Sequence, residues 1–381
     1  MKRILIDANP VVGHFLPNQH LSGIGRTTLE LIQSMNSVPD IPMDIALYSQ
    51  NLKGIGGKNL NTKFKSFHVY LRNTKFFNKL SAVFHIRELF TRYDLMHITH
   101  NFEYVANPKN CIVTIHDAFF MKINETQFNH LAMRKEVPEF AKRCRHIITC
   151  SEYSKKDIIE TMGINPAKIT VIPWGIDHTN FYIEDDCNIS KSYLEIQYDI
   201  RKPYFLSVSC NAERKRTDVL VKAYLTYIRD NNETLNDLVL VWNNPPSELK
   251  EYISKFDVKL QQRIHFLHNV SNDDLRKLYN CATASFTPSS YEGFGLPILE
   301  AMACGCPVVA ANNSSLPEVG GDAAIYVDEP IHDSLIDIIS KIESNSIDLN
   351  SLSNKGIEHA AKYTWGRAAK ATIELYNKLL K

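Results

Sequence analysis

The chain has 381 residues, which predicts two or three domains, each large enough to bury its own core. Its 43 basic residues nearly balance its 42 acidic ones, so a whole-molecule attraction to nucleic acid is not expected. With 44% apolar and 22% charged residues, the composition is typical of a soluble globular chain. Disorder, a collagen helix and a disulfide scaffold are excluded by the same numbers.

The first residues and the cysteines predict the cellular compartment. Asp7 interrupts the first apolar run after three residues, which is not the pattern of a signal peptide. No segment approaches the about 18 uninterrupted apolar residues of a membrane span. The eight cysteines form no CxxC pair and no zinc-ligand spacing, and the apolar run around Cys304 and Cys306 predicts buried thiols. We therefore expect a reduced, cytoplasmic protein.

Short β-branched runs alternate with amphipathic stretches along the chain. The runs predict strands at residues 4–8, 45–48, 95–99, 112–116, 146–150 and 169–172, and then at 204–208, 238–242, 264–267, 283–286, 307–310 and 324–327. Helical periodicity is clearest at residues 27–35, 133–141, 153–162, 218–229, 273–280 and 297–303. Repeated βα units with nearly continuous apolar strands indicate an α/β protein with parallel sheets covered on both faces.

The pattern loosens after Pro173-Trp174-Gly175. Residues 177–190 are polar, and a new strand begins only after Pro203. We therefore predict two doubly wound, Rossmann-like domains, at residues 1–190 and 191–363. Ligands of such sheets bind at the carboxyl ends of the strands, so a cleft between the domains is the expected site.

The most informative segment is residues 290–307, Ser-Tyr-Glu-Gly-Phe-Gly-Leu-Pro-Ile-Leu-Glu-Ala-Met-Ala-Cys-Gly-Cys-Pro. It follows a strand, passes two glycines and enters a helix with Pro297 in the first turn, where proline is tolerated. Glycines let the backbone approach a ligand closely, and a helix N-terminus attracts anions. Phosphate is therefore the expected ligand. Glu292 and Glu300 are predicted to lie about 12 Å apart, which is too far for a glycosidase acid pair. The two glutamates either bind two parts of one extended ligand, or Glu292 is solvated and Glu300 lies on the helix surface.

This segment resembles the E-x7-E signature of retaining GT-B glycosyltransferases of family four (glycosyl transferases group 1), and the resemblance covers nearly the whole chain. Residues 22–26, Ser-Gly-Ile-Gly-Arg, are similar to the family's glycine loop, and residues 114–117, Thr-Ile-His-Asp, to its strand-end histidine. Residues 151–157 and 172–177 are similar to its pre-linker segment, and the chain from Trp365 to its terminal helix. The implied GT-B fold has two doubly wound domains facing a central cleft, an acceptor-side first domain and a nucleotide-sugar-binding second domain. Residues 364–381 are expected to pack back on the first.

The resemblance implies catalytic roles for His116 and Glu292, both beside the transferred sugar. The donor-binding residues that it implies are Gly23, Gly25, Arg214, Lys215, Gly293, Phe294, Gly295, Leu296 and Glu300. By the resemblance, the backbone amides of Gly293, Phe294 and Gly295 would contact the sugar hydroxyls, and the Leu296 N–H would hold the diphosphate. Gly23 and Gly25 would let the N-terminus of the first helix approach the phosphates, and Glu300 would accept hydrogen bonds from the ribose hydroxyls. From the residues alone, His116 is equally explained as a core or turn histidine. The alternative for the glycine loop is an ordinary turn before a helix.

One departure from the family pattern concerns the cations. Where the family shows a Gly-Arg pair after the strand at 205–208, this chain has Ser209-Cys210, and Cys210 supplies no charge. Lys215 matches the family lysine, and Arg214 is the predicted substitute because its fork suits phosphate. No Asp-x-Asp occurs, so we expect neither a chelated metal nor a cofactor besides the nucleoside-diphosphate sugar.

Residues 53–92 hold nine Lys or Arg against one acid, Glu88, and are interleaved with aromatic residues. Such a segment could contact an anionic membrane surface, where lipid-linked acceptors reside. It could equally be a solvated face over ordinary core aromatics. Nucleic acid is the poorer interpretation, since no recognised binding motif accompanies the charges.

The sequence thus predicts a cytoplasmic enzyme, which in the membrane interpretation of residues 53–92 is peripheral at the inner face of the membrane. It would transfer a hexose to a hydroxyl of a glycan or lipid-linked saccharide in bacterial surface-polysaccharide synthesis, and the donor predicted from the resemblance is GDP-mannose. The alternative is a non-catalytic GT-B subunit that binds glycan or a protein partner, which Cys210 leaves open. A nicotinamide oxidoreductase is not expected, because no G-x-G-x-x-G follows the first strand.

Overall fold

The computed structural model describes residues 1–15, 22–50, 60–70, 74–122, 128–210, 212–231 and 234–381. It divides into two compact units, of which the first consists of Met1–Gly175 with Thr364–Lys381 and the second of Ile176–Tyr363. The chain therefore leaves the first unit once and returns to it for its last helix.

Every strand of both units is parallel to its neighbours. The strands are β1 Arg3–Asp7, β2 Asp44–Gln50, β3 Lys65–Val69, β4 Leu95–Ile98, β5 Cys111–Thr114, β6 His146–Thr149, β7 Ile169–Val171, β8 Tyr204–Val208, β9 Asp237–Val241, β10 Ile264–Leu267, β11 Ala284–Thr287, β12 Val308–Ala311 and β13 Ala324–Val327. Among the described residues, the first sheet has the order β3-β2-β1-β4-β5-β6-β7 and the second the order β10-β9-β8-β11-β12-β13. Both orders reverse direction next to the first strand of the unit, as in doubly wound folds.

Helices connect the strands and cover the sheets. They are α1 Gly23–Asn36, α2 Lys75–Val83, α3 Ile86–Phe90, α4 Phe119–Lys122, α5 Phe128–Arg143, α6 Glu152–Met162, α7 Cys187–Tyr198, α8 Thr217–Asp230, α9 Ser247–Ile253, α10 Val258–Gln261, α11 Asn272–Cys281, α12 Leu296–Ala303, α13 Leu316–Gly320, α14 His332–Glu343, α15 Leu349–Ala360 and α16 Trp365–Leu380. Each unit buries its own apolar core, with Met96 and Phe140 in the first and Tyr224 and Phe286 in the second.

The predicted strands are all present, with ends that differ by at most two residues. β3 was not predicted, because it lies at the edge of the first sheet and only Val69 of its five residues is buried. Its side chains therefore lack the apolar run that marks the central strands.

The division between the units differs from the predicted boundary at residue 190, because residues 176–190 belong to the second unit. The polar segment at which the boundary was predicted is anchored there, since the Glu184 carboxylate accepts a hydrogen bond from Nε of the buried Arg276 at 3.0 Å. Gly175 marks the crossing point, because a Cβ on it would lie 2.0 Å from the backbone nitrogen of Trp365. Within the first unit, α16 packs against α1, so residues 364–381 lie on that unit.

Candidate functional site

Two loops meet at the carboxyl edge of the second sheet, where its strand order reverses. β8 and β11 are neighbours there, and the loops that follow them carry Arg214 and Ser290. The Ser290 N–H donates a hydrogen bond to the Arg214 carbonyl at 2.7 Å, which joins the two loops. This edge is where doubly wound sheets bind their ligands.

Glu292 is the centre of this site. Its carboxylate accepts hydrogen bonds from Lys215 Nζ at 2.6 Å, from Arg214 Nη1 at 3.0 Å and from Ser289 Oγ at 2.8 Å. Arg214 Nη1 also donates to the Tyr291 carbonyl at 2.8 Å, so the guanidinium is held from two sides. The structure therefore brings three of the predicted site residues into one hydrogen-bonded cluster.

The charges of this cluster do not cancel. Burial alone would raise the pKa of Glu292, but the charges of Lys215 and Arg214 outweigh it, and the pKa lies below its ordinary value. The carboxylate is therefore ionised at neutral pH, and within these three residues one carboxylate faces two cations. Such a cluster can attract a further anion.

A glycine turn connects Glu292 to α12. Gly295 has φ of 101°, a conformation that L side chains rarely adopt, and a Cβ there would lie 2.9 Å from Leu316 Cδ2. The helix then begins at Leu296 without a side-chain cap. Ser315 Oγ donates to the carbonyls of Glu292 and Phe294, both at 2.9 Å, which fixes the turn from the outside. The turn and the uncapped helix start together suit an anionic ligand.

Both glutamates of the E-x7-E segment are buried, Glu292 with 7% and Glu300 with 2% of its surface exposed. The alternative of a solvated and a helix-surface glutamate is therefore excluded. Glu300 lies within α12, one turn after the glycine-led start. Cys210 is exposed, and Arg214 is held beside Lys215. That Arg214 substitutes for the missing arginine stays a prediction.

The predicted glycine loop lies in the first unit, at the start of α1. Ser22 Oγ accepts a hydrogen bond from the Gly25 N–H at 3.1 Å, so the first turn has a side-chain cap. A Cβ on Gly23 would meet no atom of the described residues within 4 Å. The Gly25 N–H of this turn is already used by the cap. Residues 16–21, which precede it, lie outside the described residues.

His116 follows β5 in the first unit. Its Nε2 lies 3.0 Å from the Thr99 carbonyl, and since a carbonyl only accepts, Nε2 carries the hydrogen. Burial lowers the pKa of His116 to about 4, so the ring is neutral at pH 7. Nδ1 makes no hydrogen bond with the described residues and is left as an acceptor. His116 is thus suited to accept a hydrogen bond from a ligand hydroxyl and not to donate a proton from Nδ1.

A second polar cluster occupies the carboxyl edge of the first sheet, where β1 and β4 are neighbours, and the sequence did not predict it. Asp7 ends β1, while His100 and Glu103 follow β4, and their candidate ligand atoms all lie within 4.8 Å of one another. Burial raises the pKa of Asp7 to about 6, against the opposing charge of Arg87. The one sign of this cluster in the sequence was Asp7, an acid at the end of an apolar strand. In the sequence, Asp7 was used only to exclude a signal peptide.

Two doubly wound sheets in separate units, with an anion-suited turn at the strand-order reversal of the second, define the GT-B class of proteins. A family model described as Glycosyl transferases group 1 matches residues 196–359, and one described as Glycosyltransferase Family 4 matches residues 22–180. The chain therefore belongs to the family-four glycosyltransferases, which confirms the resemblance found in the sequence.

Individual proteins agree with this assignment. The chain is 27% identical to the O-antigen chain mannosyltransferase RfbU of Salmonella typhimurium over 235 residues, 62% of this chain and 61% of that protein. It is 26% identical to the serotype-specific mannosyltransferase WbdA of Escherichia coli over 262 residues, 68% of this chain and 31% of that protein. The matches thus span less than two thirds of either relative. The sucrose-phosphate synthase structure from Thermosynechococcus elongatus shares the fold, with a TM-score of 0.74, 18% identity and coverage of 100% of this chain and 99% of that one.

No helix within the described ranges is long and apolar enough to cross a bilayer.

Proposed function

We propose that this protein transfers a hexose, with retention of anomeric configuration and without a metal at the donor, from a nucleoside-diphosphate sugar to a hydroxyl of a glycan or lipid-linked saccharide. The observation that carries this proposal is the cluster of Arg214, Lys215 and Glu292 beside the glycine-led start of α12. Family membership supports the reaction class, and the names of the two mannosyltransferase relatives support mannose and surface-polysaccharide synthesis.

The diphosphate is the part of the donor that this cluster suits. Lys215 and Arg214 bring two positive charges to a site where a single carboxylate offsets one of them. The turn at Gly295 and the N-terminus of α12 add backbone N–H groups and the positive end of a helix dipole. Glu300, buried four residues into α12, would accept hydrogen bonds from the ribose.

The same groups would lower the barrier to transfer. Negative charge grows on the departing diphosphate while the sugar becomes oxocarbenium-like, and cations already fixed in place stabilise that charge without reorganising. Glu292 holds both cations in position and, by the resemblance, lies beside the sugar. The neutral His116 would accept a hydrogen bond from a sugar hydroxyl through Nδ1.

A thermal-shift panel of GDP, UDP, CDP and ADP tests donor binding. A ligand at 100 times its dissociation constant stabilises the folded state by about 2.7 kcal/mol. We expect GDP to raise the melting temperature of the wild type, and of the Glu300→Ala variant less. Glu358→Ala, which removes an exposed glutamate of the same unit, is the matched control and should respond like the wild type.

The outcome of the panel distinguishes the alternatives. A shift with UDP in place of GDP would replace the proposed donor base and keep the reaction class. A flat panel would contradict donor binding and favour the non-catalytic subunit that binds glycan or a partner. NMR of the anomeric proton in the product of a confirmed donor would test retention, and an inverted product would refute it.

A contact with anionic membrane is the second proposal, and helix α2 supports it. Its buried residues are polar, since Asn78 accepts a hydrogen bond from Gln50 Nε2 at 2.8 Å and Ser81 is 2% exposed. Its apolar Phe76 and Val83 are each 70% exposed. A helix that turns polar groups inward and apolar groups outward is suited to a lipid surface.

Other residues of the segment 53–92 support each of the two earlier interpretations in part, a membrane contact and a solvated face over core aromatics. Phe64 is buried, as expected of a core aromatic, whereas Phe84 is exposed beside α2. Lys75 and Lys79 lie on α2 and would meet anionic headgroups. Residues 53–59 and 71–73 lie outside the described residues.

Flotation with liposomes tests this contact. We expect binding to vesicles that contain phosphatidylglycerol at low salt, weaker binding to pure phosphatidylcholine, and loss of binding when Phe76 and Val83 are both replaced by serine. Replacing Leu235 by serine, an exposed apolar residue of the second unit, is the control and should not reduce binding. Equal flotation of the Phe76/Val83 variant would rule out α2 as the contact.

A further inference from the structure

We propose that Asp7, His100 and Glu103 form a binding site for a divalent first-row transition metal such as Zn²⁺. The site lies at the carboxyl edge of the first sheet, where it would tie the end of β1 to the loop after β4. It is distinct from the donor cluster of the second unit, so it does not depend on the function proposed above. The expectation of no metal arose from the lack of an Asp-x-Asp, whereas these three ligands are distant in sequence.

The distances fit an ion and do not fit a direct hydrogen bond. His100 Nδ1 and Asp7 Oδ2 lie 3.7 Å apart, beyond the roughly 3.2 Å limit of an N–H···O bond. An ion with bonds of about 2.0–2.2 Å would reach both atoms with an angle of about 120° at the metal. Glu103 supplies the third ligand, since one ligand atom from each of the three residues lies within 4.8 Å of the others. Its Oε2 lies 4.0 Å from the Nε2 of the same imidazole.

Two ligand atoms are buried without a partner. Asp7 is fully buried, and its Oδ2, like His100 Nδ1, makes no hydrogen bond with the described residues. Asp7 Oδ2 is an acceptor, because the other oxygen of Asp7 already takes the Asn9 N–H at 2.9 Å and Oδ2 carries the remaining lone pairs. In the tautomer with its proton on Nε2, His100 Nδ1 is an acceptor as well. A buried acceptor without a donor is costly, and two that face each other are satisfied together by a shared cation.

Charge points to the same ligand. Asp7 and Glu103 bring two carboxylates into the cluster, and the buried Arg87 brings one positive charge. Arg87 stays outside the ligand set, because its guanidinium lies over the Tyr48 ring at 4.5 Å. Among the described residues one negative charge of the cluster is left without a cation, and a metal ion would supply it.

The set of one imidazole and two carboxylates suits Zn²⁺ and its neighbours better than Mg²⁺ or Ca²⁺, which prefer oxygen alone. Three protein ligands leave a fourth position for water. The His100 side chain is 26% exposed, whereas its Nδ1 is buried beside Asp7.

Zinc titration of the full chain tests the proposal. Cys187 and Cys210 are exposed and would be replaced by serine beforehand, so that their thiols bind no zinc. After dialysis against a chelator, we expect one Zn²⁺ per chain by elemental analysis and calorimetry. His100→Gln should weaken the affinity about 100-fold, as loss of a ligand costs at least as much as loss of an outer-shell partner. Co²⁺ should give visible absorption bands that His100→Gln abolishes.

A matched control separates this site from adventitious binding. His332 also lies beside a carboxylate, with Nδ1 2.9 Å from Asp333 Oδ1, and His332→Gln should leave zinc affinity unchanged. Asp7→Asn should also lose the metal. Should that buried variant fail to fold, His100→Gln decides, with its fold checked by circular dichroism. Failure of the wild type to bind zinc stoichiometrically would overturn the proposal, as would equal binding by a folded His100→Gln.

Discussion

Replacing Glu292 by glutamine removes the negative charge that two cations share. Glutamine keeps the volume of the side chain and one acceptor oxygen, but leaves Lys215 and Arg214 as neighbouring positive charges. Removing one partner of a buried ion pair costs about 3–5 kcal/mol. Because the side chains of Lys215 and Arg214 are 14% and 24% exposed and can be rehydrated, we expect the lower end, a loss of about 3 kcal/mol in the free energy of unfolding.

The measurement is urea unfolding of the second unit. Trp242 is the tryptophan of that unit, so its fluorescence reports on it once Trp174 and Trp365 are replaced by phenylalanine. Glu292→Gln, Lys215→Met and the double variant complete a cycle. At 2.6 Å between Nζ and the carboxylate in a buried site, we expect a coupling free energy of about 2 kcal/mol.

An exposed ion pair of the same unit provides the control. Lys341 Nζ lies 2.7 Å from Asp337 Oδ2 on the surface of α14, and Asp337→Asn should change the free energy of unfolding by no more than about 0.5 kcal/mol. If the effects at Glu292 and Lys215 add to within about 0.5 kcal/mol, the two residues are not coupled, and the argument that Glu292 organises the cations is refuted.

Three further changes have defined outcomes. Gly295→Ala should cost about 1–3 kcal/mol in thermal or urea unfolding, because φ of 101° strains an L residue and the new Cβ meets Leu316; a neutral effect would mean that the turn relaxes. Gly175→Ala should detach α16, since its Cβ would lie 2.0 Å from Trp365 N, and limited proteolysis should then cleave after residue 363 faster than in the wild type. Burial, with the nearby His116, lowers the pKa of His97 to about 3. Its folded form stays neutral while the unfolded form protonates, so its share of stability is complete above pH 6.5 and is lost as the pH falls towards 3; a pH series of melts should fall less steeply for His97→Gln.

The alternation of apolar runs predicted the central strands of both sheets because those strands are covered on both faces. Burial on both faces demands apolar side chains at successive positions, and that demand is visible in sequence. The edge strand β3 is less buried, since Lys65 is exposed and three of its residues are half-buried. Its sequence therefore need not be continuously apolar. The boundary at residue 190 was misplaced because the pairing of Glu184 with Arg276 is a contact over 92 positions that local polarity does not reveal.

The residues of the cluster at Glu292 were singled out largely because they are close in sequence and follow a known family pattern; that they bind the donor stays a prediction. Glu292, Gly295 and Glu300 occupy one turn and one helix, so their spacing constrains their geometry. The sequence also named Arg214 and Lys215, but gave no sign that both bind Glu292. The cluster at Asp7 lay beyond this reasoning, because residues near 7 and 100 become neighbours only through the pairing of β1 with β4.

The return of α16 to the first unit affects the order in which the protein can mature on the ribosome. Residues Ile176–Tyr363 form a continuous unit, so it can complete its sheet while the rest of the chain is still being made. Synthesis of the first unit begins earlier, but its fold is completed later. The reason is that the helix that packs on α1 is translated after the whole of the second unit. The buried His97 gains its hydrogen bond with Tyr376 only at that point. The first unit can therefore reach its complete packing only after the second unit has been synthesised.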